Sequence, residues 1–527
     1  MSLPARVGRG DGLSELDVMA ETIAIEPGAI GLGDLRKLLE GACAELHESA
    51  WPKVAAAAAT VARLAAKGQP IYGVNTGFGK LSTTHIPDRE LAELQRRLLL
   101  SHMAGVGEAL PDRIVHAILV LKAAALARGH SGCRRQVIDN LLALANAGVY
   151  PIVPAKGSVG ASGDLAPLAH LSAALIGFGE VRFKGVRMPA GDGLAHAGLV
   201  PMTLGPKEGL ALINGTQVST ALALAGLFAA EDIFAAALVS GALSVDASLG
   251  ADTPFDPRIH AIRGQPGQIA VAGVLLRLLE GSEIRRSHLS GDERVQDPYS
   301  LRCQPQVMGA CLDNLRFAAD VIGREANGVS DNPLVFPERD EVISGGNFHA
   351  EPVAMAADVM ALALAEIGAI AERRVALLTD ANLSFGLPPF LVREPGLNSG
   401  FMLPQVTAAA LVSENRALAT PSSVDSLPTS ANQEDHVSMA TYAARRTNTM
   451  AENSRNIVAI EILAAVQGIE LRRPLKSSAR LEEVVSAVRA RVGSYEVDRP
   501  HAPDIASIAE LIEAGRFREF AGMPILP

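Results

Sequence analysis

Cysteine is scarce in this sequence. There are four (Cys43, Cys133, Cys303 and Cys311), with no CxxC pair and no histidine at zinc-ligand spacing near Cys303 and Cys311. That speaks against a disulfide scaffold or a cysteine-based zinc site and fits a reducing cytoplasm. Aromatic residues make up only 4 %, and alternating strand patterns are few, which disfavours an all-β fold. Positive charge is not in excess. The net charge is −10 and the pI about 5.7, a balance that disfavours a nucleic-acid surface or an anionic membrane. The longest apolar stretches are broken by charges such as Glu231-Asp232 and Glu366, and read as too interrupted for a membrane span. Met1 to Glu21 mixes arginine with acids and has no apolar core, so no signal peptide is expected.

No linker, charge block or repeat divides the chain. Length alone suggests about three domains, but this continuity favours a polar tail over residues 1–28 and a single domain over 29–527. Ala, Leu and Val dominate, and the expected class is all-α. Helices are expected over Val54 to Ala66, Gln95 to Gly107, Ile114 to Arg128, Arg135 to Ala147 and Leu165 to Ile176. A long apolar helical region, Lys207 to Leu243, is interrupted by Asn214-Gly215-Thr216. Pro352 to Thr379 is apolar on most faces and must be buried, by its own domain or by another subunit. Ser438 to Gly468 closes the series.

The stretch that organises the rest runs from Gly157 to His170, Gly-Ser-Val-Gly-Ala-Ser-Gly-Asp-Leu-Ala-Pro-Leu-Ala-His. Its centre is Ala161-Ser162-Gly163. Small residues let the backbone fold back on itself, and glycine enters φ/ψ regions closed to other residues. Such a turn can bring the Gly163 nitrogen against the Ala161 carbonyl. Ring closure with loss of water, followed by loss of water from Ser162, leaves an electron-poor alkene made from the chain itself. The plain alternative is a glycine-rich turn before a helix, with Ser162 or Asp164 as N-cap. Four other clusters stand out: the glycine-rich loop Ile71 to Lys80 with Tyr72, the Ser101-His102 pair, Gln296 to Gln306, and Thr429 to Ser438 with Glu434. The loop lacks P-loop spacing, and the last cluster reads equally well as a helix N-terminus with acids in its first turn.

The run from Gly157 to His170 resembles the signature of the aromatic amino acid ammonia-lyases that build a 4-methylidene-imidazol-5-one (MIO) from Ala-Ser-Gly. The resemblance covers roughly residues 25 to 520 and is nearest to the histidine-specific members. It implies an all-helical fold around a central bundle of long helices, a homotetramer with active sites shared between subunits, and MIO as the cofactor, with no external cofactor and no metal. It implies elimination of ammonia from L-histidine to give trans-urocanate, the first step of histidine degradation. A β-hydrogen lies on the order of 20 pKa units above a side-chain base, at about 1.36 kcal/mol per unit. A general base contributes only roughly 10²- to 10⁴-fold, so an electrophile is required.

Carried over residue by residue, Ala161, Ser162 and Gly163 would form the MIO. Tyr72, on a lid, would remove the β-proton. Arg302 would hold the α-carboxylate, and Tyr299, Asn214 and Gln296 would steady the reacting groups. His102, Phe348 and Glu434 would surround the imidazole, whose ring N–H suits a carboxylate acceptor. Two alternatives stay open: an enzyme of the same family acting on tyrosine or phenylalanine as lyase or aminomutase, and a non-catalytic helical scaffold.

Overall fold

The computed structural model describes residues 21–67, 70–77, 79, 83, 85–290 and 294–527. Most of the expected tail, together with Phe78 and Lys80 of the glycine-rich loop, lies outside them.

Three long helices form the core: Gln217–Ala247, Glu351–Thr379 and Ala440–Glu470, packed against one another and flanked by Gln304–Ala326 and Met402–Leu418. The first is buried along its whole length except at Ala229 and Glu231, and its 31 residues run about 46 Å at 1.5 Å per residue. Alanine, glycine and serine on its surface let neighbouring helices approach closely. A Cβ on Gly226 would lie 2.1 Å from Thr447 Oγ1, so glycine there sets the spacing to Ala440–Glu470.

By length and composition, Gln217–Ala247 and Glu351–Thr379 are both apolar enough to cross a membrane, which corrects the reading that charges interrupt them too often. Their most apolar windows are 89 % and 67 % buried inside the protein, as core helices are. The interrupting acids Glu231 and Asp232 are met by Arg36 and Arg518. Glu351–Thr379 is not wholly covered within one chain. Met355 and Leu362 on it are exposed, as are Leu403 and Val406 on Met402–Leu418.

Short strands decorate the N-terminal half. Thr22–Ile25 pairs in parallel with Cys43–Leu46, so ordered structure begins inside the segment read as tail. Val149–Pro151, Glu180–Phe183 and Val186–Pro189 form a three-stranded antiparallel sheet. Pro154–Lys156, paired with Val106–Ala109, leads directly into the glycine-rich turn. The helix after the turn is Leu165–Ala173, continued by a 3-10 turn over Ala174–Ile176. The break at Asn214-Gly215-Thr216 separates Glu208–Ile213 from Gln217–Ala247.

Candidate active site

The Gly157–Asp164 turn is held by three segments far away in sequence. The Gly160 carbonyl accepts from the Ala350 backbone N–H at 3.1 Å and from the Ser438 hydroxyl at 3.0 Å. The Val159 carbonyl accepts from the Ser438 and Met439 amides at 3.1 and 2.8 Å. The Asp164 amide donates to the Gly215 carbonyl at 2.8 Å. Gly163 has φ of +72°, and a Cβ on it would lie 2.3 Å from that carbonyl oxygen. Glycine is therefore required at 163 on two counts, conformation and approach.

Asp164 does not cap its own helix. It is fully buried and accepts from the Ser219 amide and hydroxyl (2.8 and 2.9 Å), the Thr441 hydroxyl (2.6 Å) and the Ser158 hydroxyl (3.0 Å). Burial raises its carboxyl above the ordinary range although all four bonds favour the charged form. Asp164 thus ties the turn to the first residues of Gln217–Ala247 and Ala440–Glu470. Sequence reading missed this role. Its only local sign is an acid placed beside an apolar run.

The turn forms one wall of a cavity of about 1310 Å³, ample for an amino acid. Ala161, Ser162, Tyr72, His102, Asn214, Phe348 and Glu434 all line it. The Ser162 hydroxyl donates to Glu434 Oε1, and the Ser162 carbonyl accepts from Asn214 Nδ2 at 2.7 Å. Asn214 Oδ1 is buried without a hydrogen-bond partner among the described residues. Tyr72 is half-buried, and its hydroxyl accepts from the Gly79 amide at 3.3 Å. His102 ends the helix Leu91–His102, with Nδ1 within 2.8 Å of the Leu98 carbonyl and 3.1 Å of the Ser101 hydroxyl. Ile86, Leu94, Leu98 and Ile213 supply the apolar wall.

Glu434 is not in a helix N-terminus, the bland reading of its cluster. It follows a 3-10 turn in which Ser430, Ala431 and Asn432 all adopt left-handed φ of 50–62°, costly for non-glycine residues. The coil turns the carboxylate back to accept from the Thr429 and Ser430 hydroxyls at 2.7 and 3.0 Å. Burial alone would raise its carboxyl. The hydrogen bonds from Ser162, Thr429 and Ser430, with His102 nearby, hold it below the usual value, so it stays charged.

Three of the expected residues are not brought to this cavity within one chain. Tyr299 and Arg302 bound a short helix, with the Arg302 guanidinium 4.7 Å from the centre of the Tyr299 ring. Tyr299 is 70 % exposed and Gln296 is exposed. Arg302 Nε is buried with no hydrogen-bond partner among the described residues. Gln304, two residues on, donates to the Gly241 carbonyl at 3.3 Å. Gly241 lies 24 residues beyond Gln217, so the group sits about 36 Å along the central helix from the Ser162 turn.

Residues 30–490 match the family model for aromatic amino acid lyases. The chain belongs to the aromatic amino acid lyase family. It is 62 % identical over 496 residues to the histidine ammonia-lyase of Aromatoleum aromaticum, with 94 % of each chain covered. Among solved structures, histidine ammonia-lyase from Trypanosoma cruzi superposes with a TM-score of 0.88 at 40 % identity, 96 % of each chain covered. The tyrosine aminomutase of Streptomyces globisporus superposes with a TM-score of 0.90 at 34 % identity, covering 95 % of this chain and 98 % of that one. Fold similarity therefore does not separate lyase from aminomutase. As a member of this lyase family, the chain is an enzyme that breaks carbon–nitrogen bonds. The side chains around the cavity must account for which amino acid it takes.

Proposed function

We propose that this enzyme eliminates ammonia from L-histidine to give trans-urocanate, with an MIO made from Ala161, Ser162 and Gly163. The observation that carries the reading is the Ser162 turn at the cavity wall, its carbonyl held by Asn214 and its hydroxyl facing a charged Glu434. These residues fit the group. Gly163 already has the left-handed, backbone-to-backbone geometry of a tight turn, and the orphaned Asn214 Oδ1 is free to accept from a substrate N–H. The MIO would supply an electrophilic carbon that draws electrons from the bound substrate.

The chain's own groups do the rest. Glu434 accepts from an imidazole N–H and, being charged, also favours a protonated ring. His102 and Phe348 flank the ring. An apolar phenyl ring would offer no N–H to Glu434 Oε1, whose partner, the Ser162 hydroxyl, is lost when the MIO forms, which favours histidine over phenylalanine. The Tyr72 hydroxyl, which lines the same cavity as Ser162, takes the β-proton. Asn214 Oδ1 orients the departing amine.

The α-carboxylate needs a cation, and Arg302 offers the planar fork that matches it. We place Arg302, Tyr299 and Gln296 in the site of a neighbouring copy, within a homotetramer whose subunits share active sites. The exposed Met355, Leu362, Leu403 and Val406 support such packing. The four cysteines, all free, fit a cytoplasmic enzyme. Purified protein assayed with histidine, tyrosine and phenylalanine tests the assignment. Histidine is expected to be turned over fastest, with a conjugated product seen by ultraviolet absorbance. Turnover of tyrosine without histidine would defeat it.

A further inference from the structure

Lys122 lies in the helix Asp112–Leu126 and is 1 % exposed. A buried ammonium is costly unless it is paired. The neighbouring buried lysine obeys that rule, since Lys207 pairs with Asp331 at 3.0 Å. Lys122 has no carboxylate partner among the described residues. It donates instead to the Asn214 backbone carbonyl at 2.7 Å and to Gln217 Oε1 at 3.3 Å. Burial pushes it down to about 8, against the opposing pull of Asp331. A group kept in so unfavourable a place invites the question of what it holds.

What it holds is Gly215, from both sides. Asn214 precedes that glycine and Gln217 follows it by two residues. The Gln217 side chain is folded so tightly over Gly215 that a Cβ there would lie 2.4 Å from Gln217 Oε1. Gln217 Nε2 is anchored in turn on the Ser330 hydroxyl at 3.0 Å. Gly215 is the residue against which the Ser162 turn is pressed, through the Asp164 amide and the Gly163 contact. Asn214, pinned at its carbonyl by Lys122, grips the Ser162 carbonyl with its side chain.

We propose that Lys122 is a positioning residue for ring closure at Ala161-Ser162-Gly163, acting through Asn214 and Gln217 to fix the surface on which the turn is compressed. This rests on the MIO reading given above. In the closure, the Gly163 nitrogen bonds to the Ala161 carbonyl carbon and its proton moves to the carbonyl oxygen. That oxygen leaves as water with the hydrogen of the Ser162 nitrogen, forming a C=N bond. A second water takes the Ser162 hydroxyl and its α-hydrogen, leaving the C=C bond. Lys122 touches none of these atoms. Its contribution is to remove slack from the Asn214–Gln217 backbone, so that Gly163 is held against Ala161.

The test is the intact mass of full-length purified protein, with ellipticity and unfolding midpoint measured on the same samples. Wild-type chains are expected to lack two waters. K122M is expected to lower the fraction of such chains at least fivefold at wild-type ellipticity; a merely structural role would lower the midpoint and leave that fraction intact. Folded K122M with complete loss of two waters would overturn the proposal. If K122M does not fold, Q217L decides, since it removes one arm of the clamp and leaves Lys122 on Asn214. A reduced fraction supports the proposal, and full maturation overturns it. An unmodified wild-type mass would reject the MIO reading itself, a different failure from a normal mass in the variants.

Discussion

The Ser162 turn and the Gln296–Arg302 segment both carry groups that the proposed reaction calls on, and the fold treats them in opposite ways. The turn is fixed by Gly215, by Ala350, and by Ser438 and Thr441, which come from three separate segments. The other segment leaves Tyr299 largely in solvent and Arg302 Nε without a partner among the described residues, about 36 Å away along the central helix. On the proposed function, one chain completes the half of the site that would make the electrophile and read the side chain. The half that would grip a carboxylate is held out at the opposite end of the bundle. A rod of buried helix is well suited to this, since an antiparallel copy would bring one end against the other.

The sharpest way to break this contrast is Ser162→Ala. It is expected to abolish turnover while helix content and unfolding midpoint stay close to wild type, because the hydroxyl is a small group in a turn held by other contacts. Near-normal activity would remove the electrophile from the account.

Arg302→Ala should cost about 10²-fold in kcat/KM, the size of a lost charge-assisted carboxylate contact of about 3 kcal/mol. Co-expressing the Ser162→Ala and Arg302→Ala chains should then restore part of the activity, since a mixed assembly contains sites with two intact halves. Mixed assemblies as inactive as the parents would place both halves in one chain.

Glu434→Gln should reduce histidine turnover by about 10- to 100-fold, since the charged acceptor contributes roughly 1.5–3 kcal/mol. The unfolding midpoint should move little. Equal loss of stability and activity would make Glu434 a structural residue of its coil.

The smallest expected effect compares the two ends of the central helix through their buried acids, Asp164 and Asp246. Asp246 accepts from the Ser282 and Ser477 hydroxyls, yet burial pushes it up to about 6. With its folded value above the unfolded one, the native state binds more protons between about pH 4 and 6, so this group makes stability fall as pH rises through that window. Asp246→Asn should flatten that part of the stability profile without changing turnover by histidine assay. An unchanged profile would show that its ionisation is not linked to folding.

Sequence reading found most helices and their breaks because these have local signals, although the helix expected over Gln95 to Gly107 ends at His102 and Val106–Ala109 is a strand. Asn214-Gly215-Thr216 interrupts an apolar run, and the chain does break there; the prolines at 151 and 154 predict the extended entry to the turn. It found Tyr72, His102, Asn214, Phe348 and Glu434 through family resemblance, and they do meet at one cavity. Residues that act by long-range contact left no pattern to read. Asp164 meets Ser219 and Thr441, which lie 55 and 277 positions away, and Lys122 sits unmarked in an apolar helix. The left-handed backbone at Ser430, Ala431 and Asn432 was equally hidden, because none of these is glycine. The distance of Arg302 from the cavity follows from the length of a straight helix and the direction of the chain at its far end, which no local motif encodes.

The central claim is that the chain closes its own peptide at Ser162 and uses the product to expel ammonia. Its most direct test is the mass of the proteolytic peptide that contains residues 157–170, taken from enzyme shown to be turning over histidine. That peptide is expected to be lighter by two waters than its sequence requires. The full unmodified mass, in protein that is active, would contradict the account.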